Sequence, residues 1–371
     1  MAPFAPITIH IIVPTTAQTW GSEMVRGICD EAAVHPRWRL RLWSEIPHSG
    51  SDLIAAWRRD PGDAACVFPY PDRFDGCLRR LGVPVVTLAV VEGALPVVKP
   101  DDHAIGAAAA RHLAVPGWRP IAVGANRDRW WSERTAAWRS VLPGAEVAAL
   151  DGYQRPAATA WLRSLPPASA VFAAHDQLAA ILADCAPAAG RQVGRDLRIL
   201  GVDDELVCRM STPAVSSIRV PWRAIGRLGA ATLARRLAGL SAPTRQCLPP
   251  LGVAVRGSTD PLATAEPWLQ EIATRLRAAA AEGRDQRLDQ LIAGCGRSRS
   301  AVERAWSAAT GGSLLAALHL ARCERAVELL ARGNRDLDAV AHATGLHDAT
   351  ALRRLLRKRL GLTPGLVQQL G

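Results

Sequence analysis

Five of the seven residues from Arg353 to Arg359 are cations, and no acid follows Asp348. Like charges packed this closely repel one another unless a polyanion neutralises them, and nucleic-acid phosphate is the simplest such partner. A second set of chemically capable residues lies at or near the ends of short apolar runs: Asp101, Asp102, Arg134, Asp176 and Asp203. A carboxylate can accept hydrogen bonds from two neighbouring hydroxyls, and a guanidinium donates in a planar fork, so this set suits a polyhydroxyl ligand. Trp20, Trp130 and Trp131 could lie against the C–H face of such a ligand. The competing use of Asp at a strand end is a turn or helix cap, and chemistry alone favours capping.

The whole chain bears a net charge of +11, and its length of 371 residues calls for two or three domains. Lys99 and Lys358 are the only lysines, so the basic excess is almost wholly arginine. The eight cysteines form no C-x-x-C pair and have no histidine at zinc spacing, which argues against a metal site. Scattered thiols of this kind fit a reducing cytoplasm. The apolar run 7–13 is too short for a signal core or a membrane span. No metal, cofactor or membrane is expected.

Positioning these groups falls first to a β-branched run at 7–13, an alternating run at 38–44, and short apolar runs at 64–70, 83–90, 120–125, 169–176 and 197–204. Helical segments at 18–33, 104–114, 132–141 and 177–185 lie between many of them. Such alternation implies parallel sheets, with ligands bound beyond the carboxyl ends of the strands. Thr15 and Thr16 lie at such an end after the first run. Past "LPPLGVAVRGSTD" (248–260) the pattern turns wholly helical, with "PLATAEPW" (261–268) as a connecting stretch. The expected division is 1–262, a linker at 263–284, and 285–371. The part after residue 262 holds 16 basic and 11 acidic residues, a higher charge density than the larger part before it.

On a helix starting near Asp348, Leu352, Leu355, Leu356 and Leu360 make one apolar stripe, which leaves Arg353, Arg354, Arg357 and Lys358 on the other faces. A shorter helix precedes it, and Gly345 suits the tight turn between the two. This is a helix-turn-helix outline. It occurs twice. "LDQLIAGCGRSRSAVERAWSAATGGS" (288–313) aligns with 337–363, pairing Gly296 with Gly345, Val302 with Leu352, Trp306 with Leu356 and Gly311 with Gly361. The apolar-striped segment 313–333 would hold the copies apart, and two such units can enter successive major-groove faces roughly 34 Å apart.

Residues 285–370 resemble the AraC/XylS-type DNA-binding domain. Arg322, Ala326, Leu329, Leu330, Val340, Ala341, Gly345, Leu352, Arg354, Leu356, Arg357, Lys358, Gly361, Thr363 and Pro364 match its pattern, while Leu346, Leu352 and Leu356 stand where that family usually has Phe. By position Ser300, Glu303 and Arg304 of the first recognition helix, and Ala349, Thr350, Arg353 and Arg354 of the second, are expected to face bases. Arg357, Lys358 and Arg359 are expected on phosphate.

Upstream, "VVKPDDHAIGAAAARHL" (97–113), "WWSERTAAWRSVL" (130–142), "VFAAHDQLA" (171–179), "ILGVDDELVC" (199–208) and "PAVSSIRVPWRAIGRLGAATLARRLAG" (213–239) follow one another in LacI/GalR order. They are similar to that family's periplasmic-binding-protein-like effector domain. The two resemblances in this order are the arrangement of xylose-operon regulators of the XylR type. They imply an α/β two-lobed periplasmic-binding-protein-like domain followed by an all-α double helix-turn-helix domain. They also imply a sugar-responsive transcription regulator, an activator of a pentose operon, paired as a homodimer. Its partners would be an operator duplex, a monosaccharide held between the lobes, and RNA polymerase. Asp101, Arg134, Asp176 and Asp203 match sugar-contacting positions of the resembled fold, with Trp20 and Trp131 alongside as the aromatic contacts. His175 stands where many relatives have Asn.

Two other readings compete. The α/β part could serve only to dimerise or to bind a ligand other than a sugar. Amidotransferase-like domains also occur in this setting, but neither Cys66 nor Cys208 has the G-x-C-x-G surroundings of a nucleophile elbow. No enzyme activity is expected.

Overall fold

The computed structural model describes residues 5–15, 19–68, 74, 76–89, 95–125, 129–150, 154–262, 265–285, 288–331 and 333–370. The chain begins with β1 (Ile7–Ile12), α1 (Thr19–Ala32), β2 (Trp38–Leu42), α2 (Gly50–Arg59), β3 (Ala64–Val67), β4 (Val85–Thr87) and β5 (Val97–Pro100). There follow α3 (Asp102–Leu113), β6 (Arg119–Gly124), α4 (Arg129–Val141), β7 (Glu146–Ala149), α5 (Arg155–Ser164), β8 (Ser169–Ala173), α6 (Asp176–Cys185) and β9 (Leu197–Val202). The α/β part closes with α7 (Leu206–Met210), β10 (Ser216–Ile218), α8 (Trp222–Leu237), β11 (Arg245–Leu248) and β12 (Val253–Ala254). The described residues of the remainder form α9 (Pro267–Ala281), α10 (Leu288–Ile292), α11 (Arg299–Thr310), α12 (Leu314–Ala331), α13 (Leu337–His342), α14 (Ala349–Leu360) and α15 (Pro364–Leu370). Thr16 lies outside the described residues.

The chain divides into two compact units, and it crosses between them at 107/108, 124/125, 140/141, 219/220 and 250/251. Unit one holds a six-stranded parallel sheet in the order β11-β5-β4-β3-β1-β2. Its centre is apolar because β3 and β4 are buried along their whole length, while β2 at the edge is buried only at Trp38. Helices α1 and α8 pack at backbone contact: a Cβ on Gly27 would lie 1.8 Å from the Arg223 carbonyl oxygen, and one on Gly226 would lie 1.9 Å from that of Met24. Asp30 and Arg223 close the same crossing with two hydrogen bonds of 2.6 and 3.0 Å.

Unit two holds the second sheet, β12-β10-β9-β8-β6-β7, parallel except where β12 runs against β10. Here β8, β9 and β10 are buried along their whole length. The same unit contains the helical region, whose core joins Leu269, Ile272 and Leu276 of α9 to Leu291, Val302, Trp306, Leu314 and Leu318. The 263–284 stretch, expected as a linker, therefore carries a helix whose i, i+3, i+7 apolar face belongs to that core. Among the described residues no helix is long and apolar enough to cross a membrane.

Candidate functional site

The helical region is built around two equivalent helix pairs, α10–α11 and α13–α14, joined by α12. Each second helix starts on a side-chain cap. Asp348 accepts from the Ala351 N–H at 2.7 Å, and Ser298 accepts from the Ala301 N–H at 3.3 Å. Each ends on a left-handed glycine, Gly361 at φ +69° and Gly311 at φ +70°. Asp338 of α13 also accepts from the Ala349 N–H at 2.8 Å, which fastens the start of α14 to the helix before it. Leu352, Leu355 and Leu356 are buried, as are Val302 and Trp306 at the matching places in α11.

The stripe leaves the rest of each helix to solvent. Ser300, Glu303 and Arg304 are exposed, and so are Thr350, Arg353, Arg354, Arg357, Lys358 and Arg359. None of the five α14 cations has a carboxylate partner among the described residues. Their field reaches α12, where burial and then the charges of Arg359, Arg322, Lys358 and Arg354 hold His319 below the usual histidine pKa. Glu303 is engaged by Arg299, which donates to it at 3.2 Å and to Asp289 at 3.0 Å. Ala349 is the exception. At 7% exposure, with its side chain turned inward at the first turn, it is not available to a base edge.

In unit one the strand-end residues are tied into an internal charge network. Asp101 Oδ1 accepts from the Ala104 N–H at 2.9 Å and so caps α3. Asp102 accepts from Lys99 Nζ at 2.8 Å and from Arg134 Nε at 2.9 Å, with all three side chains nearly inaccessible. Glu133 takes Lys99 and Arg245 as partners; burial raises its pKa, but these two cations outweigh that and hold it low. The Arg134 guanidinium lies 4.5 Å from the ring centroid of Trp130. Trp131, at 2% exposure, belongs to the inward stripe of α4 with Arg134, Thr135 and Trp138, so it offers no face to a ligand. Trp20 joins an aromatic cluster, 4.7 Å from Phe68 and 5.1 Å from Trp222 between ring centroids. Phe68 and Trp222 were not singled out from the sequence, though "RVPW" at the head of a helix is a signal that could have shown Trp222.

In unit two Asp176 is completely buried. Its Oδ1 accepts from the Ser217 hydroxyl and its Oδ2 from the Glu205 N–H, each at 2.7 Å. Both oxygens are thus used internally, and Gly201 makes room for them, since a Cβ there would lie 2.1 Å from Oδ1. Burial, then the charge of Asp203, pushes the Asp176 pKa well up. Asp176 positions the turn rather than touching a ligand. His175 caps α6, its Nδ1 accepting from the Leu178 N–H at 3.3 Å. The turn itself is strained: Asp203 has φ +110° and Asp204 φ +56°, a region that residues with a Cβ occupy at a cost of about 1–3 kcal/mol. It is held by Arg256 on the Asp204 carboxylate and by the Asp204 N–H on Ser217 Oγ at 2.9 Å. This strain presents the half-buried Asp203 at the carboxyl end of β9. Burial raises the Cys66 pKa to about 12 and pushes Cys208 further up, so neither thiol is a ready nucleophile.

Residues 110–259 match the periplasmic binding protein-like domain family, and residues 291–369 match a helix-turn-helix domain family. A xylose operon regulatory protein of Escherichia coli is 25% identical over 337 residues, which cover 84% of each chain. The chain is a DNA-binding transcription regulator. It joins a LacI/GalR-like, periplasmic-binding-protein-like region to an AraC-type helix-turn-helix domain, the architecture of xylose-operon regulators. The regulator shares its fold with a xylose-binding transcription activator, over 99% of this chain and 98% of that one, with a TM-score of 0.58 and 20% identity. Its sensor part is also similar in fold to a LacI family transcriptional regulator from Enterococcus faecalis solved with bound ribose, with a TM-score of 0.58, 22% identity and coverage of 69% and 99%.

Proposed function

We propose that the regulator responds to a monosaccharide, a pentose of the xylose kind, and that the sugar alters how a homodimer's paired DNA-binding domains engage an operator in the cytoplasm. The observation that carries the sugar reading is the strained turn at Asp203, because a residue held at φ +110° at a strand's carboxyl end is backbone strain of the kind kept for binding. Asp203 and the Trp20 cluster are the proposed contacts, with Arg134 supporting from within its network. The names of the relatives point the same way. Base reading falls to Ser300, Glu303, Arg304, Thr350, Arg353 and Arg354, and phosphate contact to Arg357, Lys358 and Arg359. The DNA-binding domain is taken to begin at Pro267. Acting as an activator, it would further engage RNA polymerase.

The sugar shifts the regulator between states only as far as its affinities for those states differ. Titrating intrinsic tryptophan emission with a panel of monosaccharides tests the reading, and one pentose should change the emission saturably. Asp203→Ala should remove that response while DNA binding by the sugar-free protein is kept. A panel without any response refutes the sugar. A second reading, a non-sugar effector or a purely dimerising role, is favoured by the internal engagement of Asp101, Arg134 and Asp176. Under it the panel stays silent while salt-sensitive binding to duplex DNA persists.

A further inference from the structure

Inside unit two, the sensor region and the helical domain meet through a small set of residues that the DNA and effector readings leave unused. Arg219 is the last residue of this unit before the chain crosses to the other, and Leu251 is the first on its return. The two segments are fastened together there. The Arg219 N–H donates to the Gly252 carbonyl at 2.9 Å, and the Arg219 carbonyl accepts from the Leu251 N–H at 2.8 Å. The side chain of Arg219 leaves this crossing and ends 3.8 Å, Nη1 to Oε1, from Glu328 on α12.

That contact is incompletely made. The Arg219 side chain is 14% exposed, and its Nε and Nη2 have no hydrogen-bond partner among the described residues. A buried guanidinium with unmet donors is costly, and a separation of 3.8 Å is an ion pair without a hydrogen bond. Glu328 gives its other oxygen to Arg325 at 3.1 Å, which leaves Oε1 turned toward Arg219. One turn earlier on α12, Glu324 also feels Arg219; burial and the nearby Glu328 push its pKa to about 7, against the pull of Arg219 and Arg277. Arg277 of α9 in turn pairs with Asp260 at the end of the sensor region, and Leu262 is buried in the helical core. The free oxygen of Glu328 therefore faces a cation whose hydrogen-bonding capacity is partly unused.

We propose that Arg219 is an effector-sensitive latch, closing on Glu328 in one state of the regulator and loosened in another. Through it the position of the crossing segments is passed to α12, the helix that carries a helix-turn-helix pair at each end. The latch deepens the proposed function and rests on it for the nature of the effector. A residue acting this way transmits binding and touches neither sugar nor base.

The test uses the full chain, a duplex selected by the wild-type protein from random sequence, and D-xylose as probe. DNA affinity is measured with and without saturating D-xylose, and the ratio is the coupling, about 5–150-fold where two sites are allosterically linked. Arg219→Ala should bring the ratio to within about twofold of unity, and the charge swap R219E/E328R should recover most of it. A wild-type ratio in Arg219→Ala would overturn the latch, as would a swap no better than R219E alone. If D-xylose has no effect on the wild-type protein, the proposed effector fails, and the latch is then read without any sugar. Amide exchange at 216–219 and 251–254 should be faster in Arg219→Ala and in Glu328→Gln than in wild type. Unchanged exchange in those segments would overturn it.

Discussion

Replacing Gly226 by Ala puts the packing of unit one to a quantitative test. The added Cβ would lie 1.9 Å from the Met24 carbonyl oxygen and 2.8 Å from its carbonyl carbon, both backbone atoms that no rotamer change can move. Restoring the least contact that real Cβ atoms show, 3.0 Å, requires α1 and α8 to part by about 1.1 Å. Overpacking of this kind costs about 1–3 kcal/mol, and Ala regains at most about 1 kcal/mol of helix propensity, so a net loss near 1–2 kcal/mol is expected. Urea unfolding followed by tryptophan emission reads it as a lowered midpoint at constant slope. Gly229→Ala on the same helix is the control, because its Cβ would meet only the flexible end of Leu88, at 2.5 Å. Gly27→Ala should match Gly226→Ala, and the double variant should cost less than the sum, since one separation of the helices relieves both clashes. Trp20 and Trp222 sit in the first turns of the two helices, so the emission response to sugar should weaken as well. A Gly226→Ala protein as stable as wild type, or a more damaging Gly229→Ala, would refute the close-packing argument.

Replacing Arg357, Lys358 and Arg359 together by Ala should lower the slope of log affinity against log salt by about 2–3, close to 0.9 for each phosphate no longer neutralised, across unrelated duplexes. Arg304→Ala should weaken binding to the selected duplex by about 1–3 kcal/mol and relax specificity at one position; uniform loss across sequences in gel shifts would place Arg304 on phosphate. Glu324→Gln addresses a carboxyl that burial raises to about 7. Because its folded pKa lies above the unfolded value near 4.5, ionising it costs stability, a cost absent below about pH 4.5 that grows until about pH 7. The variant should therefore match wild type at pH 4.5 and exceed it by about 1–3 kcal/mol above pH 7 in thermal unfolding, and an unchanged difference across that range would contradict the burial.

The buried parts of the fold were the most legible. The runs at 7–13, 169–176 and 197–204 are largely apolar because both faces of those strands are mostly covered, and they appear as β1, β8 and β9. Strands β7 and β11, at the sheet edges, are four residues long and mostly uncovered, so nothing in their local pattern distinguishes them from loops. The repeated helix pair was legible for the opposite reason. Its glycines, caps and leucine stripe are all local requirements of one turn between two helices, and Gly311 and Gly361 share the same left-handed conformation. The composition of "PLATAEPW" suggests a linker, whereas Leu269, Ile272 and Leu276 just beyond it keep the helical spacing of α9.

Residue type at a strand end announces chemistry without saying whether that chemistry faces inward or outward, and here the two directions divide the candidate site. Asp101, Asp176, Arg134 and Trp131 have the right types, yet the first is used as a helix cap, and a buried turn, an ion network and a helix's inner stripe hold the other three within the protein. What separates Asp203 from Asp176 is neither composition nor spacing but backbone: the strain at φ +110° depends on Ser217 and Arg256, which are distant in sequence. The α14 cations pose no such ambiguity, because no buried carboxylate could absorb five charges on consecutive faces of one helix without great desolvation cost. A surface of unpaired charge can therefore be read from sequence, whereas a polar pocket needs the fold that decides which of its groups are already bonded. The same reasoning gives Arg219 its interest. One arginine among many in the sequence, it becomes distinctive only where the fold sets it near Glu328 and leaves part of its hydrogen bonding unmade.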